Sequence, residues 1–306
     1  MNIIISSMDS ELGNLINRTE ERGLVGTVVD IFDKVINIET NRPDMLITLA
    51  KDEVIRGPLM IKVKNEKAFD HLKRTAAVGN TVTFKKNGQG SLNNDRLLFH
   101  SSISWQSLIP PMEVNETQLL DLQHTVDCFL IEQGNIGGIG NAYLTKSLDS
   151  DDRSNFQSAY DRYFRQLLQQ LTKDFNGESL KKFIGLGVGL TPSGDDFLTG
   201  LLAALYHYDT ERLFLAPIRR QLRLDHIEGK TTRVSKYMLY LALDGQFNEA
   251  LLALFDSRVP VAQSLDKVNS IGSTSGTDML SGVGFALEQL RIEYKRRDKL
   301  EHKGND

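Results

Sequence analysis

Two segments of the chain combine glycine, hydroxyl and carboxylate residues in a pattern suited to binding a small ligand. The first covers residues 185–200, and a shorter copy covers residues 273–282. Residues 193–200 align without a gap on residues 275–282, and each copy continues into an apolar run typical of a helix. The N–H groups at a free helix N-terminus bind anions such as phosphate or carboxylate. The repeat therefore predicts two similar anion-binding helix N-termini.

Helix capping alone accounts for part of this pattern. Each copy places an aspartate three residues after a serine, Ser193 with Asp196 and Ser275 with Asp278. This spacing fits a capping box in which aspartate replaces the usual glutamate, and such a cap contributes ~1 kcal/mol. A purely structural role for these four residues is therefore one interpretation of the repeat.

The first segment also contains residues that capping does not explain. Gly185, Gly187 and Gly189 alternate ahead of the helix, and Asp195 adds a second acid beside Asp196. Glycines cost backbone entropy in regular structure, so a loop that carries several is typical of positive φ angles or of close approach by another group. If Asp196 caps the helix, Asp195 is the freer carboxylate, because successive helical residues point ~100° apart. It could then accept a hydrogen bond from a substrate, bind Mg²⁺ or remain solvated.

The surrounding sequence predicts an α+β protein. Residues 1–110 are rich in β-branched residues and turn formers, which indicates an antiparallel, barrel-like β domain. Residues 111–306 have apolar residues at helical spacing and form a mostly α-helical domain that carries both glycine/aspartate loops, 185–200 and 272–282. The small residues at the paired positions Gly200 and Gly282 predict that the two helices cross closely.

Composition excludes several classes of function. The formal charge of -4 at pH 7 gives no basic face for a nucleic acid. The single cysteine, Cys128, excludes an intrachain disulfide, and the six histidines lack the spacing of a transition-metal site. No apolar run approaches the ~20 residues of a membrane span, and residues 1–7 do not resemble a secretory signal. We expect a cytoplasmic protein that needs no cofactor, although Mg²⁺ is compatible with its acidic residues.

The first glycine/aspartate motif and its later copy resemble a poorly characterised bacterial family that includes the AllH-type subunit of oxamate carbamoyltransferase. The order of parts also matches: a β-rich half, the first loop, a Thr232-x-x-Ser235 helix start and the second loop. The resemblance implies a three-component enzyme of purine or allantoin catabolism that converts oxalurate and phosphate to oxamate and carbamoyl phosphate. It also implies companion subunits and a small anionic ligand such as phosphate, carbamoyl phosphate or an oxamate-like amide.

For such a transfer we predict Asp195 and Thr191 as catalytic residues. Lys230, Arg233 or a partner subunit would supply positive charge, because neither loop contains a lysine or arginine. A subunit that binds a metabolite or assembles a complex without chemistry is the alternative. The predicted ligand-binding residues all lie in the two loops or at the Thr-x-x-Ser helix start: Gly187, Gly189, Ser193, Gly194, Asp196, Thr232, Ser235, Thr274, Ser275, Gly276 and Asp278.

Overall fold

The computed structural model describes residues 1–20, 23–42, 45–99, 102–148 and 160–303, with side chains as far as residue 299. The chain divides into two compact units, residues 1–108 and 109–306. None of the helices in these described ranges is long and apolar enough to cross a membrane.

The first unit is an eight-stranded β-barrel to which a ninth strand is added. Hydrogen bonds connect the strands in the order β5-β4-β3-β2-β6-β7-β8-β1, and β1 pairs back onto β5 to close the barrel, while β9 pairs with β1. The strands are β1 (Asn2–Asp9), β2 (Leu24–Ile31), β3 (Val35–Thr40), β4 (Leu46–Lys51), β5 (Met60–Val63), β6 (Thr81–Lys85), β7 (Gln89–Leu92), β8 (Asp95–Leu98) and β9 (Ile103–Trp105). Two helices accompany them, α1 (Ser10–Asn17) and α2 (Glu66–Thr75).

The predicted β-rich, barrel-like fold is confirmed, but the sheet is not wholly antiparallel. Strand β1 runs parallel to β8 and β9, and β4 runs parallel to β5. Parallel neighbours require a crossover rather than a hairpin, and turn signals between strands do not reveal such pairings. Strand β1 ends at Asp9, whose buried carboxylate accepts hydrogen bonds from the Leu59 N–H and the Ser107 hydroxyl. The end of β1 is thereby fixed within the first unit.

The second unit is mostly helical, as the sequence predicts. Its helices are α3 (Glu116–Gln133), α4 (Gly140–Leu144), α5 (Asp161–Lys173), α6 (Gly177–Leu180) with a following 3-10 turn (Lys181–Phe183), α7 (Ser193–Tyr208), α8 (Leu215–Gln221), α9 (Leu224–Ile227), α10 (Arg233–Leu243), α11 (Glu249–Leu254), α12 (Val261–Asn269) and α13 (Ser275–Lys303). Helix α7 is buried on every side from residue 193 to residue 207, which is typical of a central core helix.

Helices α7 and α13 cross at the paired glycines of the repeat. A Cβ atom placed on Gly200 would lie 1.9 Å from the carbonyl oxygen of Met279, and one placed on Gly282 would lie 2.0 Å from the carbonyl oxygen of Phe197. No side chain fits at either position, so glycine allows the two backbones to touch. The crossing lies two turns into each helix and therefore places the two helix N-termini side by side.

Candidate functional site

The N-termini of α7 and α13 meet through a direct hydroxyl contact. Thr191, in the loop before α7, and Ser275, the first residue of α13, have their hydroxyl oxygens 3.0 Å apart. Both side chains are half-buried. The two copies of the repeated motif therefore form one site.

Each copy of the motif places its serine beside the aspartate of the other copy. The Ser275 hydroxyl approaches the Asp196 carboxylate, and the Ser193 hydroxyl approaches the Asp278 carboxylate, which partly lowers the pKa of each acid. The Ser275 hydroxyl does not meet full hydrogen-bonding geometry with Asp196. The site thus consists of two half-sites, and the serine of each half-site lies beside the aspartate of the other.

Asp196 and Asp278 are buried carboxylates that lack a full set of partners. Both are 0% exposed. Within the described part of the chain, the Ser275 and Thr191 hydroxyls lie near Asp196 without meeting full hydrogen-bond geometry. Asp278 accepts from the Ile139 N–H at 2.6 Å, and the Ser193 and Thr274 hydroxyls lie near it. Burial raises the pKa of Asp196 well above its usual range, and the nearby charge of Asp278 raises it further. Burial also raises the pKa of Asp278, to about 6.

Asp195 has the opposite surroundings, so the prediction that it is the freer acid is wrong. Its carboxylate accepts hydrogen bonds from the Gly185 N–H at 2.8 Å and from the Thr231 hydroxyl, and these partly offset the rise in pKa that burial causes. The reason is the helix register. Helix α7 begins at Ser193 after Pro192, without a side-chain cap, so Ser193 and Asp196 do not form the predicted capping box.

The loop before α7, residues 185–192, presents backbone donors. Gly187 and Gly189 have φ angles of +120° and +100°, which L-residues rarely adopt. A Cβ atom on Gly187 would lie 2.7 Å from the Ser193 nitrogen, whereas Gly189 faces open space. Among the described residues, the N–H groups of residues 187–191 and 272–274 donate to no other group. Successive free N–H groups beside two helix N-termini are suited to an anion.

A third glycine-rich segment, residues 134–140, contacts the second copy of the motif. The sequence does not predict this segment as part of the site. The Ile139 N–H donates to Asp278, and the Asn135 N–H donates to the Thr277 hydroxyl at 2.8 Å. A Cβ atom on Gly138 would lie 2.0 Å from an Asp278 oxygen, so glycine is required there. The run of glycines is visible in the sequence, but its contact with α13 is long-range and has no local signal.

The other predicted residues support the loops. Thr232 caps α10 by accepting from the Ser235 N–H at 3.1 Å, and it donates its hydroxyl to the Leu190 carbonyl of the first loop. Ser235 is buried close to Asp195 and partly lowers the pKa of that acid. Gly194 and Gly276 lie against backbone carbonyls, those of Phe183 and Val268 respectively, and Thr274 partly lowers the pKa of Asp278.

No positively charged side chain among the described residues pairs with the two central acids of the site, Asp196 and Asp278. These residues also contain no group of three or more His, Cys, Asp or Glu side chains that could hold a metal ion. The site combines backbone donors, hydroxyl groups and two carboxylates. It can therefore orient an anion or an amide without a covalent nucleophile.

Two protein-family models match the chain. A model described as oxamate carbamoyltransferase subunit AllH matches residues 183–287, which include both copies of the motif. A model described as the AllH family N-terminal domain matches residues 5–106, which cover most of the barrel unit. The two matches together cover most of the chain. No solved structure matches it.

Proposed function

The chain belongs to the AllH family of oxamate carbamoyltransferase subunits, and from this premise we propose that it carries a substrate site of that enzyme at the paired N-termini of α7 and α13. The subunit designation implies companion subunits. The observation that carries the proposal is the union of two half-sites through Thr191 and Ser275, with free backbone N–H groups beside them. The ligand would be phosphate, carbamoyl phosphate or an oxamate-like amide.

The reaction would require alignment of two anions rather than a covalent intermediate. An oxygen of hydrogen phosphate bonds to the carbamoyl carbon of oxalurate, and the bond from that carbon to the oxamate nitrogen breaks. The proton of hydrogen phosphate ends on that nitrogen, so oxamate leaves as a neutral amide with its carboxylate unchanged. Fixed N–H groups that meet the developing negative charge lower the barrier, and holding both reactants together removes much of the entropic cost.

Different residues would serve different parts of this site. The N–H groups of residues 187–191 and the hydroxyls of Thr191 and Ser275 would contact the anion. Asp195 would act as a positioning residue, because its carboxylate holds the first loop through the Gly185 N–H. Asp196 and Asp278 would lie beneath the ligand. In this assignment Asp196, rather than Asp195, is the acid that lies next to the substrate.

The proposal is tested by thermal unfolding of the full chain with phosphate, carbamoyl phosphate, oxamate and oxalurate, each with and without Mg²⁺. A ligand at 100 times its Kd stabilises the folded state by ~2.7 kcal/mol. Thr191→Val and Ser275→Ala remove the joining hydroxyls and should abolish the shift. Thr125→Val is the matched control, because its hydroxyl only donates within α3, to the Asp121 carbonyl. No shift with any anion, in either condition, would count against a substrate site on this chain.

An assay of the assembled enzyme distinguishes a catalytic role of this chain from a scaffolding role. With companion subunits present, Ser275→Ala should lower turnover while the complex forms normally. A variant that prevents assembly, or that changes ligand binding without changing turnover, would favour the alternative of a non-catalytic subunit.

A further inference from the structure

The carboxylates of Asp196 and Asp278 have fewer hydrogen-bond partners than other buried acids among the described residues. Asp9 accepts from the Leu59 N–H and the Ser107 hydroxyl, and Asp95 pairs with the N-terminal ammonium group. Asp209 accepts from three backbone N–H groups. A buried carboxylate is costly without such partners. Both oxygens of Asp196 lack a hydrogen-bond partner, and the side chain is fully buried. The described residues therefore do not satisfy this acid, and a bound ligand could.

The atoms around this gap are hard oxygen donors. Three oxygens lack partners, both of Asp196 and Oδ2 of Asp278. The Ser275 and Thr191 hydroxyls approach Asp196 from the second and first copies of the motif. Among the described residues no imidazole or thiolate group contributes, so zinc is a poor fit. Mg²⁺ is usually held by one or two carboxylates, retains several waters and takes further ligands from substrate phosphate.

We propose that Asp196 and Asp278 together bind a divalent cation of the Mg²⁺ type, which faces the anion held by the N–H groups of the first loop. Two carboxylates beside an anion would repel it, and no lysine or arginine among the described residues pairs with them. A divalent cation balances the two carboxylate charges and supplies a positive centre for the substrate. This inference rests on the proposed function for the identity of the anion, but the cation site itself does not depend on it.

The direct test is titration of Mn²⁺ alone into the full chain, followed by electron paramagnetic resonance of the free ion. We expect saturable binding of one Mn²⁺ per chain and competition by Mg²⁺. Asp196→Asn and Asp278→Asn should each weaken Mn²⁺ binding by more than about tenfold, since even outer-shell changes at metal sites cost that much. Asp209→Asn, which alters an equally buried but fully partnered acid, should leave Mn²⁺ binding unchanged.

A second measurement keeps the inference testable if either variant fails to fold. Fe²⁺ with ascorbate and peroxide cuts the backbone near a bound metal, and cuts in the unaltered chain should fall near residues 191–196 and 275–278. Absence of saturable Mn²⁺ binding, cuts elsewhere, or full binding in Asp196→Asn would each overturn the cation site.

The outcomes also separate this inference from the proposed function. Anion protection that persists in EDTA, with no Mn²⁺ binding, would retain the substrate site and reject the cation. Tight Mn²⁺ binding with no anion protection in any condition would retain the cation and reject the substrate site.

Discussion

Both ends of helix α7 bury acids, and Asp209 at the C-terminal end has surroundings opposite to those of Asp196 at the N-terminal end. At the C-terminal end, Asp209 accepts from the backbone N–H groups of Leu213, Phe214 and Leu215 at 2.8–2.9 Å. At the N-terminal end, Asp196 accepts from no described group. Hydrogen bonds to a charged group contribute ~1.5–3 kcal/mol each. Asp209 therefore stabilises the fold, whereas folding alone does not explain Asp196.

Separation of α7 from α13 should have the greatest consequence for both stability and ligand binding. Gly200→Ala places a Cβ atom 1.9 Å from the Met279 carbonyl oxygen, so the backbones must move apart. We expect a loss of roughly 3 kcal/mol or more in the free energy of unfolding, together with loss of anion protection. Gly13→Ala in α1 is the control, because its Cβ atom meets only the flexible end of Met8 at 3.4 Å. Urea unfolding of the two variants, with and without the anion, measures both effects. Equal stability of the two variants would refute the close crossing.

Exchange of each acid for its amide tests the difference between Asp209 and Asp196 directly. Asp209→Asn loses the carboxylate charge and turns an NH₂ group towards backbone donors, so we expect unfolding to become easier by roughly 2–3 kcal/mol. Asp196→Asn removes an acid whose charged form is disfavoured by burial, so in EDTA its free energy of unfolding should be unchanged or higher. Chemical denaturation of the two variants in parallel checks this. A large loss in Asp196→Asn would mean that Asp196 has an unrecognised structural partner.

Two alanine variants of the first loop should have smaller effects on stability, and they separate steric crowding from backbone strain. Gly187→Ala combines a φ of +120° with a Cβ atom 2.7 Å from the Ser193 nitrogen, and we expect it to cost about 2 kcal/mol. Gly189→Ala has a φ of +100° but no crowding, and should cost about 1 kcal/mol. Thermal midpoints measure the costs. If Gly189→Ala proves the more damaging, the loop conformation described here is incorrect.

The smallest expected effect is a pH dependence at the C-terminal end of α7. Burial lowers the pKa of His207, although its contact with the Pro110 carbonyl partly opposes this. The folded protein thus binds the proton less tightly than the unfolded chain, so this contribution is fully present above pH ~6.5 and is lost as pH falls below that value. Asp196 and Asp278, whose pKa burial raises, act in the opposite direction over this range, so the histidine is isolated by comparing variants. In urea unfolding from pH 8 to pH 5, the unaltered chain should lose stability relative to His207→Gln. An equal pH dependence of the two proteins would show that His207 makes no such contribution.

Sequence reasoning predicts the framework of this site better than its chemistry. The gapless match of residues 193–200 to residues 275–282 indicates both helices and their crossing at Gly200 and Gly282, because small residues at paired positions have a local physical meaning. The surroundings of Asp195 and Asp196, however, are the reverse of those expected from the sequence. Both acids lie on a helix that is buried on every side, so periodicity cannot distinguish their faces, and only the tertiary partners Gly185 and Thr231 do so.

The barrel shows the same division. Alternating β-branched runs indicate strands, but β1 depends on partners far along the chain, because it pairs with β5, β8 and β9. Strand β1 buries Ile3, Ile5, Ser7 and Asp9 in alternation, and two of these are polar. A polar residue on an inward face weakens the period-two signal, because its burial is offset by specific partners rather than by hydrophobicity.

The exchange of partners between Ser193 and Ser275 has a geometric consequence. Contacts in which residue i of one element meets residue j of another, while j meets i, define an isologous interface of the kind found in two-fold homodimers. One chain here contains such an interface within itself. The two-fold relation fails where Asp195 stands opposite Thr277, because each anchors a different glycine segment. A symmetric dimer would receive a ligand equally well in two orientations, whereas this internal asymmetry gives the site a direction and allows it to distinguish one end of an unsymmetrical ligand from the other.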